Sequence, residues 1–244
     1  MVYSRLAPIY DRVMAHVNYD DWAVLFRKVI KKYLGVSRPS VLEIGGGTAK
    51  LASRLPGGDI DYWGSDLSFA MCTFARLRGY RYCTADGRAL PFKKLFNIAI
   101  FLYDGINYLM CLEDYTRLFR EVHGVLEEQG LFLFDITTYT NSITFFEDTV
   151  DQEHYDDLYY SRHSYFNGKK RTQHNDFLIF NRINGSTYEK HEEKHVQKVF
   201  SVEDICTAIP GSLFEIVGVW DSFSFRRYHH DSLRVHFLLR KQPS

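Results

Sequence analysis

The sequence has no net charge: 30 Lys and Arg residues meet 30 Asp and Glu over 244 residues. A protein whose main partner is a polyanion needs clustered basic charge, so a nucleic-acid or anionic-membrane binder is disfavoured. Cysteine is sparse. Cys72, Cys83, Cys111 and Cys206 lie far apart and form no C-x-x-C pair, which argues against a disulfide framework and predicts free thiols in a reducing compartment. No apolar run approaches the ~20 residues of a membrane span. The opening Met1-Val-Tyr-Ser-Arg-Leu-Ala-Pro8 lacks the basic and apolar regions of a secretion signal, so a cytoplasmic location is expected. There is neither an internal repeat nor a low-complexity segment. What is present, 45% hydrophobic and 16% aromatic residues, is enough to bury one large core.

The apolar residues fall into two kinds of pattern. Between Asp20 and Leu34, Trp22, Leu25, Phe26, Val29, Ile30, Tyr33 and Leu34 share one face of a helix, and Gly35 supplies its stop. Strand and helix then alternate: strand Val41–Ile44, helix Thr48–Leu55, strand Ile60–Gly64, helix Ser68–Arg78, strand Tyr80–Thr84, strand Phe96–Leu102, helix Glu113–Glu128 ended by Gly130, and strand Leu131–Ile136. Such alternation predicts a parallel sheet with right-handed crossovers. From about Asp151 to Phe200 the pattern changes. Asn167-Gly168 and Asn184-Gly185 separate runs rich in Tyr, Phe, Thr and Ile, the signature of an antiparallel meander. Ser201-Val-Glu-Asp204 then has capping-box spacing, and strands Leu213–Trp220 and Leu233–Leu239 complete the sheet. The division expected is a core of residues 1–136 and 201–244 with an inserted β cap at 137–200.

Gly45-Gly46-Gly47 leaves a buried strand, where backbone N–H groups can meet a ligand without an intervening Cβ. Lys50 stands where a dinucleotide fingerprint needs glycine, and Glu43 would repel a pyrophosphate. Asp66 follows the second strand, where an α/β nucleotide site places an acid for ribose hydroxyls, and Asp86 follows the third. Three acids suit a nucleoside with a cationic tail and no phosphates.

At these residues the chain resembles the class I S-adenosylmethionine-dependent methyltransferases. Val41-Leu-Glu-Ile-Gly-Gly-Gly-Thr48, Gly64-Ser-Asp-Leu-Ser-Phe-Ala-Met71 and Ala85-Asp-Gly-Arg-Ala-Leu-Pro-Phe92 resemble their first three motifs. The run Phe96 to Leu109 is similar to the fourth motif of a small-molecule branch, Tyr10-Asp11 and Asn18–Trp22 to its N-terminal lid, and Tyr188–His195 to its β cap. Ala49 departs from a third glycine, and Asn97 from the usual Asp before the fourth strand. The resemblance implies a Rossmann-like α/β fold: a mostly parallel seven-stranded sheet, last strand antiparallel, with an inserted antiparallel β cap. It implies S-adenosyl-L-methionine as cofactor, with Glu43, Gly45, Gly46 and Gly47 at its methionine part, Asp66 at the ribose and Leu67 against the adenine. Asp86 and Gly87 would sit by the adenine amino group, Leu102 and Tyr103 along the path to the sulfonium, and Tyr10, Tyr19 and Trp22 over the methionine end. Trp22 also reads as core, and Tyr10 also as a staple for the N-terminus.

Methyl transfer is an in-line displacement in which alignment and exclusion of water are the protein's main tasks. A small-molecule N or O acceptor is expected, with no nucleic-acid or membrane partner, in a monomer or homodimer. Tyr10 and His195 are the catalytic candidates; His163, His174, His191 and Asp104 are further possible bases. Two alternatives stand beside this reading. One is a non-catalytic S-adenosylmethionine-binding or interaction protein on the same fold. The other is a zinc hydrolase through His191-Glu192-x-x-His195, which needs a helix; on a strand the two His would lie about 13 Å apart at ~3.3 Å per residue. No metal site is expected.

Overall fold

The computed structural model describes residues 3–55 and 58–243. After a single turn, α1 (Tyr10–Val13), the amphipathic stretch forms α2 (Tyr19–Val29). Asn18 caps α2 by accepting from the Asp20 N–H, and Trp22, Leu25, Phe26 and Val29 make its buried face. The expected extension to Leu34 is present as a wider π turn, Ile30–Leu34, and Gly35 stops it at φ 65°.

Next come β1 (Ser40–Ile44), β2 (Asp61–Asp66), α3 (Phe69–Leu77), β3 (Tyr82–Thr84), β4 (Phe96–Phe101), α4 (Leu112–Val125) and β5 (Leu126–Thr137). Two local expectations fail. Residues 48–55 form turns ending in one 3-10 turn, Ala52–Arg54, because Ala49 sits at φ 65°, outside the right-handed helical region. The helix expected to reach Glu128 ends at Val125, and Gly130, expected as its stop, lies within β5 beside Gln129 at φ 62°. Pairing with β4 jumps there from Phe96↔Leu126 to Ile98↔Leu131, so the intervening residues bulge. Asn97 lies within β4 rather than before it, and its Oδ1 accepts from the Ser40 N–H at 2.9 Å, bracing the start of β1 at the end of the sheet opposite the glycines.

A short helix that the apolar pattern did not announce, α5 (Tyr139–Phe145), leads into four antiparallel strands. These are β6 (Asp148–His154), β7 (Leu158–Asn167), β8 (Thr172–Asn184) and β9 (Thr187–Lys198), with both Asn-Gly pairs at the turns. The edge strand β6 is exposed throughout and carries Asp148, Asp151 and Glu153, charge that discourages further strand pairing. α6 (Val202–Ala208) begins at the Ser201–Asp204 capping box, and β10 (Phe214–Asp221) and β11 (Arg234–Lys241) follow.

The large sheet has the order β10-β11-β5-β4-β1-β2-β3, and β11 alone runs antiparallel to its neighbours. This is the class I methyltransferase fold. Alternation along each strand feeds two cores. Leu42, Ile44, Phe132, Phe134 and Phe237 meet α4 and α6, while Val41, Ile98, Ile100, Leu131 and Leu133 meet α2. A smaller cluster joins Leu6, Ile9 and Val13 of the N-terminal segment to Leu158, Tyr160, Phe177 and Ile179 of the four-stranded sheet. Burying those three apolar side chains, at roughly 25 cal/mol per Å², helps hold the N-terminal segment against the second sheet.

Candidate active site

The order of the large sheet reverses between β1 and β4, so a crevice opens beyond their carboxyl ends. The glycine turn sits there. Gly45 and Gly47 adopt φ 65° and 55°, and a Cβ on Gly45 would lie 2.6 Å from the Phe101 ring. At Gly46 a Cβ would meet the Glu43 carboxylate and the Tyr82 hydroxyl. Only glycine allows this path.

Two buried carboxylates flank the turn. Glu43, on β1, accepts from the Tyr82 hydroxyl and has no ion-pair partner among the described residues. Burial pushes its pKa up to about 7 against the opposing pull of that hydroxyl. Asp66, at the end of β2, accepts from the Gly47 N–H at 2.9 Å and the Ser68 N–H at 2.8 Å, and burial outweighs these bonds to raise its pKa also.

Tyr10, Tyr19, Trp22, Glu43, Gly45, Gly46, Gly47, Leu102 and Tyr103 line one recess of about 40 Å³. It adjoins a cavity of about 620 Å³ lined by Tyr10, Gly45, Gly47, Asp66, Leu67, Gly87, Leu102, Tyr103 and His195. Trp22 is buried, as its core reading expects, with its ring 5.5 Å from Tyr103 and 5.0 Å from Phe223, and it lines the recess. Leu67 is 58% exposed at the cavity rim. Asp86 departs from its expected place. It does not line the cavity, because its carboxylate is taken by Arg88, 2.6 Å away, which also pairs with Asp114 at 2.9 Å.

Tyr103 and Asp104, both named from the sequence, are held in place by Arg234, Asp135 and Gln197, which were not foreseen. Tyr103 and Asp104 follow β4 with consecutive positive φ values, 63° and 50°, a backbone that side-chain-bearing residues rarely adopt. A buried network holds them. Asp135 accepts from the Asp104 N–H at 2.9 Å and pairs with Arg234, which also pairs with Asp104 at 2.9 Å; Gln197 donates to Asp104 at 2.7 Å. The guanidinium lies 5.2 Å from the Trp22 ring and 5.1 Å from that of Tyr103. Burial pushes the Asp104 and Asp135 carboxyls up, and Arg234 pulls them back. Arg234 and Asp135 belong to strands that read only as core, so no local sequence signal marked them.

Of the candidate bases on the second sheet, His195 lines the cavity. Its Nδ1 lies 2.9 Å from the Tyr108 hydroxyl, which is 2.7 Å from that of Tyr3, and its Nε2 lies 3.1 Å from Glu193 Oε1. His163 pairs with Asp148 at 2.6 Å, His174 stacks on Tyr165 at 4.5 Å, and His191 approaches Glu189 at 3.2 Å; none of the three lines the cavity. His191 and His195 lie on the extended strand β9, paired with Ile179 and Asn175, so the zinc-hydrolase arrangement does not form.

The chemistry of this donor set fits S-adenosylmethionine. A buried carboxylate without a cation, beside a glycine cradle, suits a ligand amino group, and Asp66 keeps lone pairs for hydroxyls. A pyrophosphate would face both acids. Among the described residues no helix is long and apolar enough to cross a membrane.

Comparison with known proteins agrees. Residues 41–130 match the family described as Methyltransferase domain. The chain is 26% identical over 253 aligned positions to "Putative methyltransferase YqeM" of Bacillus subtilis (strain 168), with 100% of this chain and 99% of that protein covered. Among solved structures, an S-adenosylmethionine-dependent methyltransferase from Clostridium acetobutylicum ATCC 824 superposes with TM-score 0.81 at 24% identity, covering 98% of each chain. The sugar N-methyltransferase KedS8 from Streptoalloteichus sp ATCC 53650 superposes with TM-score 0.78 at 16% identity, covering 95% of this chain and 91% of that one.

Proposed function

We propose that this chain, which has the class I fold and matches a methyltransferase domain over residues 41–130, is an S-adenosylmethionine-dependent methyltransferase that methylates an N or O atom of a small molecule held between the two sheets. The observation that carries this reading is the 620 Å³ cavity. It has Asp66, Leu67 and Gly87 on one wall and Gln173, Asn175, His195 and Gln197 on the other. Residues 1–136 and 201–244 act as the cofactor-binding core, and 137–200 as a cap that forms the acceptor site. The sugar N-methyltransferase among the structural neighbours supports a small polar acceptor.

When bound, S-adenosylmethionine supplies a methyl group already activated on a sulfonium. The chain's residues bind and align. Glu43 holds the ligand's amino group, Asp66 the ribose hydroxyls, and Leu67 and Gly87 the adenine, while Asp86 shapes the neighbouring turn through Arg88. Tyr10, Tyr19 and Trp22 exclude water over the methionine end, with Tyr10 seated above Gly47, and Leu102 and Tyr103 border the path between the two spaces. An acceptor amine reaches the site as an ammonium, and a hydroxyl gains from deprotonation, so either needs a proton acceptor. His195 is placed for that role.

The test is formation of S-adenosylhomocysteine by purified protein over a panel of amine- and hydroxyl-bearing small molecules, amino sugars included. Turnover with a member of the panel is expected. Tight S-adenosylmethionine binding without product from any acceptor would favour the non-catalytic binder instead.

A further inference from the structure

Glu193 makes two sets of contacts that belong to different parts of the molecule. One oxygen, Oε2, accepts from the backbone N–H groups of Arg5 and Leu6 at 2.8 and 3.0 Å, so the N-terminal segment is tied to β9. The other, Oε1, lies 3.1 Å from His195 Nε2. Both residues are buried, at 7% and 2% exposure, and among the described residues neither of these facing atoms makes an aligned hydrogen bond, with the other or with any third group. A proton on Nε2 puts a donor beside the carboxylate oxygen, and a small rotation of either side chain aligns the pair. A proton on Nδ1 instead would leave a lone pair of Nε2 facing a carboxylate, an arrangement that costs at least a buried unmade hydrogen bond.

We propose that Glu193 is a latch that couples closure of the N-terminal segment to preparation of His195 as a base. With the segment shut, Glu193 is fixed by two N–H donors and holds the proton on Nε2, which leaves the Nδ1 lone pair for the Tyr108 hydroxyl. Tyr3 comes with the same segment: its ring lies 4.4 Å from that of His195, and its hydroxyl contacts Tyr108. Closure therefore assembles a line from the cavity through Tyr3 and Tyr108 to His195, backed by Glu193. An open segment removes Tyr3 and frees Glu193 at once.

The proton balance is simple. The acceptor gives its proton to the Tyr3 hydroxyl as Tyr3 passes its own to Tyr108 and Tyr108 passes its own to Nδ1, so one proton moves in net and His195 becomes an imidazolium paired with Glu193. The acceptor's freed electron pair bonds to the methyl carbon while the carbon–sulfur pair stays on sulfur. Glu193 is a positioning residue here, and the proton line rests on the methyl-transfer reading above. The latch does not.

The experiment uses the full chain without acceptor. Glu193→Gln keeps a carbonyl oxygen for the Arg5 and Leu6 N–H groups, but its amide donates toward Nε2 and drives the proton to Nδ1. Glu193→Ala removes both functions. Trypsin cleavage after Arg5, followed by intact mass, is expected to be at least tenfold faster in Glu193→Ala than in the parent, and within twofold of the parent in Glu193→Gln. Imidazole ¹⁵N NMR is expected to show His195 protonated on Nε2 in the parent and on Nδ1 in Glu193→Gln. Unchanged cleavage in Glu193→Ala, or an Nδ1–H tautomer in the parent, would overturn the proposal. Where Glu193→Ala does not fold, hydrogen exchange at the Leu6 amide replaces it: protection in the parent is expected, and free exchange overturns the latch. Failure of the parent to bind S-adenosylmethionine in calorimetry would instead sink the methyl-transfer reading and leave the latch measurement standing.

Discussion

The Asp66 carboxylate accepts the Gly47 N–H at 2.9 Å and so ties the end of β2 to the glycine turn that follows β1. One acid thus shapes the cradle and faces the cavity. Asp66→Ala is expected to weaken S-adenosylmethionine binding at least tenfold in calorimetry, because hydrogen bonds to a charged group contribute about 1.5–3 kcal/mol each. It should also lower the melting temperature of the free protein. Asp66→Asn, which keeps an acceptor for one of the two N–H groups, should fall between. Parent-like affinity in Asp66→Ala would remove the ribose assignment.

The parts of this site that were legible in the sequence are those fixed by local backbone geometry. A glycine turn after a buried strand and an acid at the next strand's end recur at set offsets, so Glu43, Gly45–Gly47 and Asp66 could be placed by number. Periodicity likewise marked α2, and the Asn-Gly pairs marked the hairpins of the second sheet. The Arg234–Asp104–Asp135 network could not be seen in this way, because its members come from three distant segments that meet only through the sheet order. Asp86 illustrates the converse. Its position fitted the pattern, yet Arg88, two residues on, captured its carboxylate. The missing helix at 48–55 has the same lesson, since its apolar spacing was sound but Ala49 takes a left-handed backbone.

Glu43 titrates near neutrality, about 7, because burial disfavours its charge. A cationic ligand needs the carboxylate, so S-adenosylmethionine affinity is expected to rise about tenfold per unit from pH 5.5 to 6.5 and to level above 7. Calorimetry in buffers of different ionisation heat should show proton release on binding below pH 7. In the free protein the sign is opposite. A folded pKa above the ordinary 4.5 means that this stability is fully present below about 4.5 and lost as the pH rises through 7. Glu43→Gln should therefore bind more weakly above pH 7, with the difference from the parent narrowing as the pH falls, yet unfold at higher urea concentration at pH 8.

His236, on β11 beneath Trp22, has no aligned hydrogen-bond partner on either ring nitrogen among the described residues, and burial together with Arg234 pushes its pKa down to about 3. Its folded pKa lies below the ordinary 6.5, so its contribution is intact above 6.5 and lost as the pH falls toward 3. Between about 4.5 and 6.5 this trend opposes that of Glu43, so the two offset each other in the parent. Adding His236→Leu to Glu43→Gln should make stability fall less steeply as the pH drops through this range. Urea unfolding at half-unit pH steps measures the change, and an acid slope unaltered by His236→Leu would sink the assignment.

Arg234 neutralises two buried acids while its guanidinium packs against Trp22 and Tyr103, so its removal should act on stability and on the site together. Arg234→Met keeps the aliphatic bulk and leaves Asp104 and Asp135 uncompensated, a change expected to cost about 3–5 kcal/mol. The cost should depend on pH. Without the guanidinium both carboxyls, already raised by burial, move higher still, so acid neutralises the stranded charges more readily. The loss relative to the parent should therefore be smaller at pH 5 and grow toward pH 8. The same network holds Tyr103 and Asp104 at positive φ, and Tyr103 borders the recess assigned to the methionine end. Freed from it, that turn relaxes, so Arg234→Met should also weaken S-adenosylmethionine binding at least tenfold although Arg234 touches only the neighbouring cavity. Asp104→Asn introduced beside Arg234→Met removes one of the two stranded charges and should recover part of the stability at pH 8. Recovery of stability without recovery of affinity would show that Asp104, and with it the strained turn, serves the ligand rather than the fold.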